Sequence, residues 1–196
     1  MSIDTDIVVW VNGHNNAFLD SFMWTVSTPT TWIPLYVLLL VLLGFAYKRK
    51  TWSDTMRTLF TILIGFAVAV ALSDYICSGL LKPLICRLRP THDGSVPLLH
   101  IVNGYKGGLY GFCSSHAANS MAVALLFSLL YRKKIATVLL MLWVALVCYS
   151  RIYLGVHFPT DIIAGLFVGS LMAVVAWVIL TLVFHVDDED LQRDDS

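Results

Sequence analysis

Five apolar runs, at residues 32–47, 59–81, 117–131, 135–149 and 162–184, limit what this chain can fold into. A helix rises about 1.5 Å per residue, so about 20 residues cross a hydrocarbon core ~30 Å thick. The third and fourth runs fall short of that when counted between charges. Their helices are therefore expected to continue into polar flanks lying at or just below the interface. Composition agrees: of 196 residues 58% are hydrophobic and 13% charged, where a soluble domain carries about 25% charged residues. The fold expected is an all-α polytopic membrane bundle of about five transmembrane helices, forming one domain over 1–196. A net charge of zero argues against a nucleic-acid partner, which requires a clustered basic surface.

Orientation follows from lysine and arginine in the connections. KRK at 48–50 with Arg57, and RKK at 132–134, belong on the cytoplasmic side. The segment before the first run has no Lys or Arg, which suits the outer side. The 82–116 and 150–161 connections then face outward. Lys82, Arg87, Arg89 and Lys106 in the first of these run against the rule unless they have another job. Near the N-terminus, Ile7, Trp10, Val11, Phe18 and Phe22 recur at a helical period broken by Asn12-Gly13. This reads as an interfacial helix within 1–31 rather than a sixth span. The acids of MSIDTDIVVW do not suit a cleaved signal. The acidic 185–196 stretch reads as a solvated cytoplasmic tail. Cys77 and Cys148 lie in apolar runs as small hydrophobes. No zinc-type Cys/His spacing occurs, and a Cys86–Cys113 disulfide on an oxidising face stays open.

Three polar islands remain. KPLICRLRP carries Lys82 and Arg89 about two helical turns apart. YGFCSSHAANS places Ser114, Ser115 and His116 just before the third run, and SRIYLGVHFPTD carries Arg151, His157 and Asp161 before the fifth. Each has a bland explanation taken alone. The cations of the first can snorkel, Ser-Ser-His can cap a helix, and Pro159 with Asp161 suits a first helical turn. Topology brings all three to one membrane face, which independent snorkelling or capping residues need not do.

Such a face suits a phosphate. Lys82, Arg89 and Arg151 form a cationic cradle, with arginine's planar fork matched to phosphate oxygens. Ser114 and Ser115 add hydroxyls, and the helix that follows adds free backbone N–H groups. Asp161 lies four residues beyond His157 and can orient its ring, leaving the other nitrogen free to attack phosphorus. His116 is then the proton donor to the departing oxygen. The chemistry expected is phosphoryl transfer to histidine followed by hydrolysis. The basic residues carry the transition-state charge, so no metal or cofactor is called for.

As they stand, these islands resemble the type 2 phosphatidic acid phosphatase family, whose pattern is K-x6-RP, PSGH and SR-x5-H-x3-D. KPLICRLRP and SRIYLGVHFPTD match fully, while CSSH puts Cys113 for the Pro and Ser115 for the Gly. The resemblance implies His157 as nucleophile, His116 as general acid and Asp161 as its orienting partner. Lys82, Arg89, Arg151 and Ser114, with the Ser115 amide, would bind phosphate. It further implies a lipid phosphate or diphosphate substrate at the outer leaflet. Undecaprenyl diphosphate and lipid A phosphates come first, then phosphatidylglycerol phosphate and phosphatidic acid. The compact chain suits a multi-pass protein of a bacterial inner membrane with its site facing the periplasm. A non-catalytic anion binder or transporter could use the same cradle, but has no need of the His157–Asp161 couple. A vanadate-dependent oxidase is disfavoured by the spans. Asp74, inside the second run, is either half of a structural polar pair or an orienting group for Lys82. The Gly- and Tyr-rich 94–112 connection reads as a mobile lid.

Overall fold

A computed structural model of the chain describes residues 2–48, 51–182 and 186. The acidic tail expected over 185–196 therefore lies outside the described residues, Val186 apart. Two short helices come first, α1 (Ile3–Gly13) and α2 (Ala17–Ser27), capped by the Ser2 and Asn16 side chains. After a 3₁₀ turn at Pro29–Trp32 follow α3 (Ile33–Ala46) and α4 (Trp52–Asp74). The chain then continues without a break through a π-helical stretch, Tyr75–Leu81, into α5 (Lys82–Ile85). The long polar connection leads to α6 (Ser115–Tyr131), α7 (Lys134–Tyr153) and α8 (Pro159–Leu182).

Among the described residues four stretches are long and apolar enough to cross a membrane: Pro29–Ala46, Trp52–Ile85, Lys134–Tyr153 and Pro159–Leu182. The third of the five expected spans, α6, is apolar but only 17 residues long. As anticipated for the third and fourth runs, the helices overrun their apolar segments: α6 takes in Ser115 and His116, and α7 takes in Arg151. Large apolar side chains such as Phe45, Phe60, Phe167 and Leu182 stand on the outside of the bundle, where lipid rather than water is the natural solvent.

Close helix approach fixes the bundle's centre. Between helices in lipid the hydrophobic effect gives no net drive, so association relies on close packing of small residues. On α8 the buried positions Asp161, Gly165, Gly169 and Ala173 follow one another at intervals of four, forming a single ridge. That ridge lies against α6. A Cβ added at Gly165 would collide with the Ser114 carbonyl oxygen, and one at Gly169 with that of Ala118. The register continues to the top, where Ser114 N–H donates to the Asp161 carbonyl at 3.0 Å. Asp161 thus ends a ridge of small residues, which brings the second and third islands into contact.

One interfacial helix was expected at the N-terminus; the chain forms two, with the break after Gly13. Ile7, Trp10, Phe18 and Phe22 are exposed, as the periodicity implies, but Val11 is buried. Asn12, which in sequence looks like a mere helix breaker, is buried as a clamp. Its Nδ2 donates to the carbonyls of His100 (2.9 Å) and Tyr153 (2.7 Å), and its Oδ1 accepts from His100 N–H (2.7 Å). Tyr153 Oη donates to Asp20 Oδ1 at 2.6 Å, tying α2 to the end of α7. The N-terminal pair is therefore fastened over the end of the bundle that holds the polar islands.

Candidate active site

The π-helical stretch sets the first wall. Such widened turns recur at functional sites, and here the stretch leads directly into Lys82. Lys82 Nζ donates to Ser78 Oγ (3.0 Å) and to Ser115 Oγ (2.9 Å), and the two hydroxyls are themselves 2.8 Å apart. Ser115, standing where the family pattern has glycine, thus contributes its side chain by holding a lysine. Ser114 is fully buried as the N-cap of α6, its Oγ accepting from Ala117 N–H at 3.5 Å. The capping role and a place in the site coincide in this residue.

Arg89 and His157 form the second wall. Arg89 Nη1 lies 3.0 Å from the Val156 carbonyl and 3.1 Å from His157 Nε2. A guanidinium only donates hydrogen bonds, so His157 Nε2 must be the acceptor. The imidazole proton then sits on Nδ1, which faces Asp161 Oδ2 at 3.5 Å. Both residues are shut off from solvent, at 1% and 0% exposure. Burial pushes the His157 pKa well below the usual imidazole range, and the charges of Arg89, Arg151 and Lys82 push the same way. The geometry delivers a neutral ring with its lone pair aimed among cations.

Asp161 is held on both oxygens. Phe158 N–H donates to Oδ2 at 3.0 Å, and Arg87 Nη1 donates to Oδ1 at 2.9 Å. Arg87 also donates through Nη2 to Asp4 Oδ2 at 2.7 Å and lies over the Phe158 ring, 4.2 Å from its centre. Thr160 Oγ1, in contact with Arg87, donates in turn to Asp4 Oδ2. Burial works to raise the Asp4 pKa, but hydrogen bonds from Arg87 and Thr160 hold it below the usual carboxylate range. The N-terminal helix is thereby connected to Asp161 through Arg87. The sequence reading gave Arg87 no role, although its place between Lys82 and Arg89 was the available signal.

The third wall comes from Arg151. Its Nη1 donates to Ser27 Oγ, and its Nη2 donates to Tyr105 Oη at 3.2 Å, with the Tyr105 ring centre 5.7 Å from the guanidinium carbon. Burial raises the Tyr105 pKa, yet the Arg151 charge and hydrogen bond with the charges of Arg89 and Lys82 bring it below the ordinary phenol value. His116 closes the ring of groups beside the Ser27 backbone. Nε of Arg89 and Nε of Arg151 are buried with no hydrogen-bond partner. A phosphate among these side chains would satisfy both donors.

The 94–112 connection, expected as a mobile lid, is anchored at several points. Arg89 N–H donates to Leu109 O, Gly111 N–H donates to Arg87 O, and Leu88 and Tyr110 form an antiparallel bridge. Its glycines let the backbone lie directly on the site. A Cβ at Gly111 would come within 2.9 Å of Asp161 Oδ2 and 3.3 Å of Arg89 Cγ.

All eight expected site residues, Lys82, Arg89, Ser114, Ser115, His116, Arg151, His157 and Asp161, gather at one end of the bundle. Ser78, Arg87, Ser27 and Tyr105 join them from outside the expected set. The Cys86–Cys113 pairing does not occur. Cys86 is exposed, while buried Cys113 faces Cys77, and the cysteines are free thiols. Nor does Asp74 bond to Lys82. The wider π turn shifts the register between them, and Ser78 takes the place at Lys82 instead.

Two cavities meet at His116 and Ser27. A small one, about 210 Å3, is bounded by Trp24, Tyr105 and Arg151. A larger cleft, about 680 Å3, runs down between α3, α4, α6 and α7 among apolar residues such as Leu39, Phe66 and Trp143. An anion held by the cations can therefore carry a large apolar group into the membrane-spanning part of the molecule.

The chain is similar to known proteins over most of its length. Lipid A 4'-phosphatase of Bacteroides thetaiotaomicron is 34% identical over 170 residues, 86% of this chain and 72% of that protein. The enzyme of the same name from Porphyromonas gingivalis is 34% identical over 173 residues, 88% and 70% of the two chains. The crystal structure of a transmembrane PAP2-type phosphatidylglycerolphosphate phosphatase from Bacillus subtilis superposes with a TM-score of 0.60 at 26% identity, covering 88% of this chain and 82% of that one. The PAP2 superfamily model matches residues 62–184, a stretch that holds the three motifs and the helices that carry them. The chain belongs to the PAP2 superfamily and is a multi-pass membrane phosphatase, a phosphoric-ester hydrolase of that family.

Proposed function

We propose that this phosphatase removes a phosphate from lipid A or a closely similar acylated sugar phosphate at the outer leaflet of a bacterial inner membrane. The observation that carries the reading is the cleft of about 680 Å3 that opens onto His116. Fatty chains in that cleft leave the phosphate among Lys82, Arg89 and Arg151. The names of the Bacteroides and Porphyromonas relatives support the choice of lipid A. The lysine and arginine of the two tight turns support the outward-facing site.

The reaction proceeds in two displacements. A phosphate entering the cradle draws Arg89 from His157 Nε2 and frees that lone pair. Nε2 attacks phosphorus and the P–O bond to the lipid breaks. His116 takes up a proton as the phosphate's negative charge offsets the surrounding cations, and gives it to the departing oxygen, so the lipid leaves as an alcohol. Positive charge grows on the His157 ring, and the Asp161 carboxylate opposite Nδ1 stabilises it. Water then attacks the phosphohistidine with His116 as base, releasing inorganic phosphate and restoring the ring. Lys82, Arg89 and Arg151 hold the phosphoryl oxygens throughout, where fixed charges act without reorganising.

Phosphate release tests this, with the purified chain offered lipid A, undecaprenyl diphosphate, phosphatidylglycerol phosphate and phosphatidic acid. Lipid A is expected to give the highest kcat/KM. Absence of release from any of the four would overturn the reading, and a clear preference for another member would replace the substrate. Labelling of cysteines substituted into the 94–108 loop tests the orientation. Outer-side reagents are expected to reach them, and labelling only after the inner face is opened would reverse the topology.

A further inference from the structure

The walls of the large cleft are mostly aliphatic and aromatic, and beyond His116 and the serines Ser27, Ser115 and Ser120 they are interrupted by Asp74 and Asn119. Neither has a use so far. Asn119 Oδ1 is buried with no hydrogen-bond partner. Asp74 lies within a membrane-spanning stretch, exposed along the cleft; its carboxylate makes no hydrogen bond or ion pair with another described residue, and its charge reaches Lys82 and Cys77 only at longer range. Of the two roles open to Asp74 from the sequence, neither a structural polar pair nor an orienting bond to Lys82 has a hydrogen bond behind it, and what joins Asp74 to Lys82 is charge at longer range. An acid in hydrocarbon is costly and marks function by default, and an unpaired buried carbonyl is costly as well.

Both groups offer an acceptor: a carboxylate only accepts, and Asn119 has beside its donor NH2 a carbonyl oxygen that is buried and unpartnered. Their depth is set by the helices. Asn119 lies one turn below His116 on α6, roughly 5 Å, and Asp74 eight residues before Lys82, at most about 12 Å. A ligand that satisfies them carries N–H or O–H donors within that distance of its phosphate. A polyprenyl chain has no such donor. A diacylglycerol phosphate has ester oxygens there, which are acceptors and would meet Asp74 unfavourably. An acylated amino-sugar phosphate whose chains are amide-linked or β-hydroxylated has both kinds of donor a few bonds from the phosphate.

We infer that Asp74 and Asn119 form a specificity subsite in the cleft that accepts hydrogen bonds from amide N–H or hydroxyl groups at the heads of the substrate's acyl chains. The inference rests on the proposed reading that those chains occupy the cleft. The subsite separates acylated amino-sugar phosphates from polyprenyl and simple diacyl phosphates, which the three motifs alone do not.

The test uses the full chain in detergent and a matched pair of acylated glucosamine phosphates. One has amide-linked β-hydroxyacyl chains, and the other has ester-linked unsubstituted chains of equal length. The wild type is expected to favour the first by at least about tenfold in kcat/KM, the value of one or two buried hydrogen bonds. Asp74→Leu and Asn119→Leu should each reduce that ratio, their combination should bring it near one, and Asp74→Asn, which keeps an acceptor, should retain most of it. A wild-type ratio near one with brisk phosphate release overturns the subsite and leaves the proposed function standing. Leucine variants that slow both substrates in parallel also overturn it, since that is how a purely structural role behaves. No release from any lipid phosphate sinks the proposed function and the subsite together. The wild-type ratio decides the matter even if a leucine variant does not fold.

Discussion

The two ends of the substrate path are built on opposite plans. At the cationic end nearly every side chain is held by a partner from a distant part of the chain. Asp4 holds Arg87, Arg87 holds Asp161, Ser115 holds Lys82, and Tyr105 holds Arg151. In the cleft the walls are mostly apolar, and the Asp74 carboxylate and Asn119 carbonyl have no hydrogen-bond partner among the described residues. Charge moves at the first end, where an error of position is costly to the rate. The second end holds a chain whose binding tolerates adjustment. The difference assigns rate to the upper residues and affinity to the cleft.

Substitutions at the upper end should break this division most sharply. Arg151→Ala removes a cation whose guanidinium carries an unspent donor, and kcat should fall by about two to three orders of magnitude. Single-turnover kinetics, with thermal unfolding in detergent as the control for folding, measure it. A loss confined to KM would remove Arg151 from the transition state. Arg87→Gln should cost about ten- to a hundredfold in kcat with little change in KM, because Arg87 acts through Asp161 rather than on the phosphate. Arg87→Lys should recover part of that loss. A rise in KM equal to the fall in kcat would instead make Arg87 a direct phosphate ligand.

A cleft substitution should show the reverse pattern. Leu63→Trp fills space where a chain lies and should raise KM for long-chain substrates about tenfold, leaving a short-chain soluble phosphate ester nearly unaffected. Equal effects on both would disconnect the cleft from substrate. The last prediction is a change that fails to appear. His157 has its pKa depressed, so the ring stays neutral and nucleophilic as pH falls through its ordinary value of about 6.5. Corrected for ionisation of the substrate's own phosphate, the acid limb of kcat/KM should therefore lie well below that value, since this ratio reports groups of the free enzyme. A limb centred near about 6.5 would mean an ordinary, solvated histidine at the site.

Much of this arrangement was legible in the sequence because the motifs are local. Lys82 with Arg89, Ser114 to His116, and Arg151 with His157 and Asp161 each lie within a dozen residues and at a helix end, where topology alone brings them to one face. The groups that hold them in place were not legible. Asp4, Ser27 and Tyr105 reach the site from the two N-terminal helices and the long connection, and no periodicity announces a contact across so many residues. Asn12 illustrates the limit. Asn-Gly marked the end of a helix correctly but said nothing of a buried side chain clamping three segments. Asp74 shows a different limit: counting residues assumes an α-helix, and the π-helical stretch at Tyr75–Leu81 changes the face on which Lys82 emerges. The Gly165 and Gly169 pair was readable as a close-packing signal, and its use at the site follows only once Asp161 is seen to end the same ridge.

The central claim is that His157 carries the phosphoryl group between the two displacements. Acid-labile, base-stable label on the protein, trapped by rapid quenching after mixing with a lipid phosphate labelled in its phosphoryl group, tests it most directly. The account predicts label on the wild type within one turnover and none on His157→Ala, which should also lose more than about a thousandfold in phosphate release. Label retained on a folded His157→Ala variant, or full turnover without it, would contradict the account.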